Sequence, residues 1–475
     1  MILNKIAVFS YILLGIVLGF ILTFYTAGLF VLSLFLASLL AIKLFFKKES
    51  SSFLIKLFII SFILRAAMCL VNYNVGLEPP FWGGDTQPDA AVYNVNAFYI
   101  SHLLKDNPAE ENLARARDPF LDRMLDKTRY FHDNRLPDLG GYQFDSNVFG
   151  LGVFYAWLGY APVAAKMTNS LICCLSIILV YLISRRLFGE EKPSRIAAVI
   201  FAFFPSIFYW SVTGLRDSVS NFLLLAYLLF LVKLITEKKF KYIFWALLFI
   251  YLSNLFRTKL SISLLAGLGV VSVFALLKAL KVGKSTILRV SLIFAVYFIL
   301  AFVFADRTTI TSKIVNTANF IARINLAQVV SGGAYHPSQT NYRIYSDLVY
   351  QQGKLSPGDV FSFGYLATIL KAILYFFFAP FPFGNWSLSF LPFYPQVIYW
   401  YLMAPFTVTG WLLFLKKDKY TSLTLTALLL VLILPAALFE SNIGTAFRHK
   451  DMFIPVAFIF AAYALTRQRA DNRGS

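Results

Sequence analysis

Apolar residues run along this chain in blocks of about 20, the length of helix that crosses the hydrocarbon core of a bilayer. Twelve such blocks fall at about 6–24, 28–46, 53–72, 167–186, 194–212, 218–236, 242–256, 260–280, 286–305, 394–415, 420–438 and 452–467. They recur along almost the whole chain, which neither a cleaved signal nor a lone anchor explains. The pattern predicts an all-α polytopic membrane protein with about 12 transmembrane helices.

Composition agrees. Of 475 residues 59% are hydrophobic and 14% charged, and 50 are Phe, a balance foreign to water-soluble globules. The net charge of +19 invites a nucleic-acid reading, but the placement of Lys and Arg removes it. The basic residues cluster in short stretches between apolar blocks, with no continuous basic face for a polyanion. With the N terminus inside, "KLFFKKESSSFLIK", "RRLFGEEKPSR", "KLITEKKFK", 278–289, "KKDK" and the tail 467–473 all fall on the cytoplasmic side. The expected location is the cell (inner or plasma) membrane, with the chemistry on the outer side. Two further apolar pieces, Val148–Ala165 and Tyr365–Phe383, would each invert this order if either alone crossed. Both are therefore expected as interfacial or re-entrant elements on the outer side.

Four regions follow: two extra N-terminal helices (1–52), a transmembrane module (53–305), a second outer loop (306–393) and C-terminal helices (394–475). The module contains a long outer loop, 73–166, which holds 12 of the 24 acidic residues in a fifth of the chain. Within it Glu111–Phe131 spaces apolar residues among charges, as a helix lying on the membrane surface does. The second loop includes the aromatic run "FFFAPFPFGNWSLSFLPFYP", typical of a membrane interface.

Chemistry is sought where charge departs from these rules. Asp85 and Asp89 follow the third block by about a dozen residues, in "GGDTQPDAAVY", and on a helix Asp89 and Tyr93 share a face one turn apart. A carboxylate at the membrane surface, partly shielded from water, can take a proton from an acceptor hydroxyl. The same stretch also reads as a solvated turn in which Asp89 caps a helix. In "WSVTGLRDSVSN", Arg216 and Asp217 stand at the mouth of two spans, as functional groups or as helix ends. Arg257 and Lys259 in "NLFRTKLS", and Arg448, His449 and Lys450 in "ESNIGTAFRHKDM", fall on the outer side against the positive-inside rule. Arg and Lys there suit a phosphate group, or helix ends snorkelling to lipid headgroups. The three cysteines lie in apolar runs, and the four histidines form no HxH or HxxxH pair, so neither a disulfide framework nor a His-based metal site is expected. The acids leave room for a carboxylate-held divalent ion.

An apolar helix, an early outer-loop Asp with Tyr one turn on, the small-residue run "GLGVFYAWLGYAPVAAK", then "RRLFGE", "SRIAA" and "FFPS…WS", resemble the GT-C superfamily of polyprenyl-phosphate-sugar-dependent glycosyltransferases. That group contains the protein O-mannosyltransferases and the lipid A aminoarabinose transferase. The similarity is strongest over about 80–236, and "NIGTAFRHKDMFIPVAFIFAAYAL" is also typical of bacterial members. The resemblance implies a GT-C-like fold with surface helices in the first outer loop, and a cavity where a lipid-phosphate sugar donor meets a glycan, lipid or protein acceptor. It implies Asp89 as base with Asp85 as runner-up, Asp217 as a second acidic position, and Arg216, Arg257, Lys259 and Arg448 on the donor phosphate. The chain departs from the family in two ways: "TQP" separates the two acids that are often adjacent, and two helices precede the usual first one.

The expected activity is inverting transfer of a sugar from a polyprenyl-phosphate carrier. A lipid-linked polysaccharide polymerase or ligase is the first rival, and it would depend on Arg448 and His449 more than on Asp85 and Asp89. A transporter or flippase is the second; its unusual polar residues would sit at mid-membrane rather than gather at one surface.

Overall fold

The computed structural model describes residues 27–75, 146–237, 239–279, 342–379, 394–441 and 443–471, with scattered positions between 93 and 105 and between 312 and 329, and Phe381. Among them the regular structure is helical. The principal helices are α1 (Gly28–Phe45), α2 (Lys48–Val75), α3 (Ser146–Leu158), α4 (Pro162–Phe188), α5 (Glu191–Phe203), α6 (Pro205–Val212), α7 (Asp217–Glu237), α8 (Lys241–Phe256) and α9 (Thr258–Ala279). After the second loop come α10 (Phe363–Phe378), α11 (Tyr394–Lys417), α12 (Lys419–Phe439), α13 (Ile443–Lys450) and α14 (Ile454–Asp471).

Six of these are long and apolar enough to cross a membrane: α1, α2 up to Tyr73, α4, α7, α11 and α12. They coincide with six of the expected blocks. The block at 194–212 is instead two helices, α5 and α6, meeting at 53°, and counts as a seventh span if the bent pair crosses once. Proline makes the break: Pro205 has no N–H to continue the ladder, and it drives Phe204 to an extended ψ of 125°. The blocks at 242–256, 260–280 and 452–467 form shorter apolar helices, while 6–24 and 286–305 lie outside the described residues, as does Glu111–Phe131. Of the two ambiguous pieces, 148–165 divides. α3 is 13 residues, or ~20 Å, short of a ~30 Å core. The chain then turns at Gly159–Ala161, so the fourth span begins at Pro162 rather than 167. α10, at 16 residues, is similarly short.

Burial ranks the helices. Of its most apolar window α7 buries 72% and α4 61%, against 28% for α1 and 22% for α11. α4 and α7 form the centre, with α2, α5 and α8 around them; α14 packs on α5 and α11, and α9 on α12. The outer faces expose rows such as Leu29, Leu36, Leu40 and Leu44 on α1, or Ile398, Leu402 and Leu412 on α11. Water would not tolerate such rows, whereas lipid does. Where α11 meets α14 the backbones nearly touch: a Cβ at Gly410 would lie 1.9 Å from the Phe460 carbonyl oxygen. Small residues permit that approach in membrane helices.

Among the buried charges, one lies within a membrane-spanning helix and ties the bent pair together. Arg65 of α2 is fully inaccessible. Its Nη2 donates to the Ala202 carbonyl at 2.9 Å, in the last turn of α5, where the break leaves carbonyls without helical partners. Its Nε donates to Ser211 Oγ at 2.9 Å on α6, Nη1 bonds Ser61, and the Phe208 ring lies 4.7 Å from the guanidinium carbon. One guanidinium thus bridges both halves of the bent pair.

Candidate active site

The α6–α7 turn places the first site residues. Gly214 adopts φ +78°, a left-handed conformation open to glycine, and lies against the Lys166 side chain of α4. The turn delivers Leu215 to a small core with Trp210, Tyr93, Ala97, Val148 and Tyr155. Arg216 and Asp217 come next, with Asp217 opening α7.

Asp217 is buried, and both its oxygens are engaged. Oδ1 accepts from Arg257 Nη2, and Oδ2 accepts from Arg448 Nε at 3.2 Å and Nη2 at 3.0 Å. Arg257 sits between α8 and α9, Arg448 on α13, so helices distant in sequence converge on one carboxylate. Arg216 Nη1 donates to the Phe256 carbonyl at 3.3 Å, serving an orphan acceptor at the end of α8. The Arg448 guanidinium lies 5.8 Å from the Trp210 ring centre. Burial works against the Arg257 charge and lowers its pKa, while the Asp217 carboxylate opposes that shift. Arg257 Nε is buried without a hydrogen-bond partner among the described residues.

Beside this cluster His449 Nδ1 bonds Glu440 Oε1, just past the end of α12. Burial alone would raise the Glu440 carboxyl, but His449, with Thr445 and the more distant Arg257, holds it below the usual carboxylate range. Next along, Lys450 and Asp451 are both buried. Burial pushes the ammonium down and the carboxyl up, and Gln396 Nε2 donates to Asp451 Oδ1 at 3.5 Å.

Of the residues singled out in the sequence, the structure brings together Tyr93, Arg216, Asp217, Arg257, Arg448 and His449. Tyr93 is buried in the small core beside the α6–α7 turn. Asp85 and Asp89 lie outside the described residues, and Lys259 is on α9 with its side chain likewise outside them. Lys450, singled out with Arg448 and His449, is buried beside Asp451, whereas sequence reasoning did not single out Glu440, Asp451, Arg65 or Lys166. Glu440 stood within the quoted stretch "ESNIGTAFRHKDM", and only its contact with His449 distinguishes it. Among the described residues no group of three or more His, Cys, Asp or Glu is placed to hold a metal ion.

The cluster gathers at the Pro162 end of α4. The opposite end, ~40 Å away along a 27-residue helix, carries a different charge network. There Arg186 pairs with Glu237 at 2.8 Å, Arg195 with Glu191 at 2.8 Å, and Lys417 and Arg467 with Glu190.

A bundle of apolar helices with a two-arginine, one-carboxylate cluster at one end defines the class: a polytopic membrane protein with a charge cluster buried at one end of its helices. The family model described as dolichyl-phosphate-mannose-protein mannosyltransferase matches residues 151–306. Over that third of the chain the sequence is similar to this family, which supports the GT-C superfamily and a membrane glycosyltransferase that depends on a polyprenyl-phosphate-linked sugar. The match includes Arg216, Asp217 and Arg257; the loop carrying Asp85 and Asp89 precedes it, and Arg448 and His449 follow it. No curated protein and no solved structure matches the chain.

Proposed function

We infer that the protein transfers a sugar, with inversion, from a polyprenyl-phosphate carrier to a hydroxyl acceptor (glycan, lipid or protein) on the outer side of the membrane. The observation that carries this reading is the convergence of Arg257 and Arg448 on Asp217 at one end of the bundle. Two guanidiniums in a half-dry site offer forked donors for a phosphate, and they stabilise it as it leaves. Arg216, Lys259, His449 and Tyr93 complete the donor site.

Asp89, with Asp85 as partner or replacement, removes the proton from the acceptor oxygen, which forms a bond to the anomeric carbon as the carbon–phosphate oxygen bond breaks. The leaving group departs as an anion and needs no proton, so one base suffices. Asp217, the third carboxylate of the site, serves transfer by keeping the two arginines apart and oriented; with both oxygens engaged it is poorly placed to accept a proton. The outer-side placement is supported by loop charge: the basic clusters at the far end of the bundle are those the positive-inside rule puts in the cytoplasm.

The test is transfer by the purified full chain with dolichyl-phosphate mannose as donor. Asp89→Asn is expected to abolish turnover while expression and melting temperature stay near wild type. Retention of turnover by both Asp89→Asn and Asp85→Asn would exclude this mechanism.

A further inference from the structure

We propose that Glu440 is a positioning residue of the donor site, fixing the His449 imidazole so that its second nitrogen meets the carrier phosphate. This rests on the reading above, that the cluster takes a lipid phosphate.

The backbone around Glu440 is tied on every side. Its N–H donates to the Ala436 carbonyl at 3.3 Å and its carbonyl accepts from Asn325 Nδ2, whose Oδ1 accepts from the Tyr350 hydroxyl at 2.9 Å. That hydroxyl accepts from the Ile344 N–H at 3.0 Å, and the next carbonyl, of Ser441, accepts from the Tyr342 N–H at 2.6 Å. Segments of the second loop thus anchor the point from which the carboxylate projects.

The carboxylate takes up His449 Nδ1, which fixes ring orientation and leaves Nε2 as the other polar edge. The Glu440 side chain is 5% exposed and the imidazole 26%, so the pair runs from the interior toward the open side of the cluster. His449 follows Arg448 on α13, and Arg448 Nη2 donates to Asp217 Oδ2 at 3.0 Å, which places the pair beside the arginine clamp. A buried carboxylate is expensive to desolvate, and an apolar pair would hold two helix ends together at lower cost. An oriented imidazole beside two guanidiniums instead gains a purpose: an Nε2–H donor for a non-bridging phosphate oxygen. No bond to carbon or phosphorus is made or broken by the pair.

The full chain in nanodiscs, labelled with 15N-histidine, tests this with dolichyl phosphate as probe. Only four histidines are present, so the His449 ring signals are assignable by comparison with His449→Gln. Dolichyl phosphate is expected to shift the His449 Nε2 signal in the wild type. Glu440→Gln should displace the Nδ1 signal and weaken binding of the probe roughly tenfold, with Glu440→Asp recovering part of both. His449→Gln should weaken binding by a similar factor. Unchanged ring signals and unchanged affinity in Glu440→Gln would overturn the assignment, as would wild-type affinity in His449→Gln if Glu440→Gln failed to fold. Absence of probe binding by the wild type would instead remove the donor-site reading itself.

Discussion

At the scale of single residues, the site is a balance of charges that burial makes demanding. Arg257 and Arg448 share one carboxylate, and a guanidinium fork is not replaced by an ammonium. Arg257→Lys is therefore expected to lower transfer by roughly tenfold or more, chiefly through a raised donor KM, since the lost contact is to the phosphate. A steady-state assay over a range of donor concentrations separates that from a fall in kcat. Glu440 carries a pH signature of known sign. Its carboxyl is held below the ordinary value in the folded protein, so the stability it confers is complete above the unfolded value, about 4.3, and is lost as pH falls through the depressed one. Melting curves of the wild type should thus show an acid loss below about pH 4.3 that is smaller in Glu440→Gln.

At the scale of elements, two contacts govern how the helices meet. Arg65 holds the α5–α6 break by serving the Ala202 carbonyl and Ser211 together. Arg65→Leu leaves those groups buried without their donor, and a loss of about 3–5 kcal/mol is expected, of the order found when one member of a buried polar network is removed. Thermal unfolding in detergent reads it; a melting temperature within a degree or two of wild type would show that the break stands without the arginine. Gly410 is the second contact. Any side chain there meets the Phe460 backbone rather than a flexible group, so Gly410→Val should separate α11 from α14 and destabilise the chain by about 1–3 kcal/mol or more. The α5–α6 break was only partly legible: Pro205 is visible in the sequence, yet the 194–212 block reads as one uninterrupted span by hydropathy. That Arg65 supports the break was not legible at all, because the partners it reaches there, the Ala202 carbonyl and the Ser211 hydroxyl, lie 137 and 146 positions away.

At the scale of the whole molecule, the two ends of the bundle carry different chemistry, and orientation is open to direct measurement. Cys69, Cys173 and Cys174 are all buried, so an impermeant thiol reagent finds little background. Lys419→Cys, at the start of α12, is expected to react from the cytoplasmic side and Gln352→Cys, in the second loop, from the outside; both are exposed. Labelling of both from one side would contradict the proposed topology.

The sequence by itself determined the class of molecule. Hydropathy is a local property, so twenty apolar residues declare a helix wherever they pack, and the alternation of basic loops orders the helices without knowledge of their contacts. It also marked Asp217, Arg257 and Arg448 as anomalies, because charge at a span's end is costly however the chain folds. Only the tertiary structure decided that these three form one cluster, that Glu440 stands behind His449, and that α5 and α6 bend about Arg65. Each of those facts depends on pairs separated by 9 to 231 positions, and separation in sequence carries no information on distance until the helices have packed.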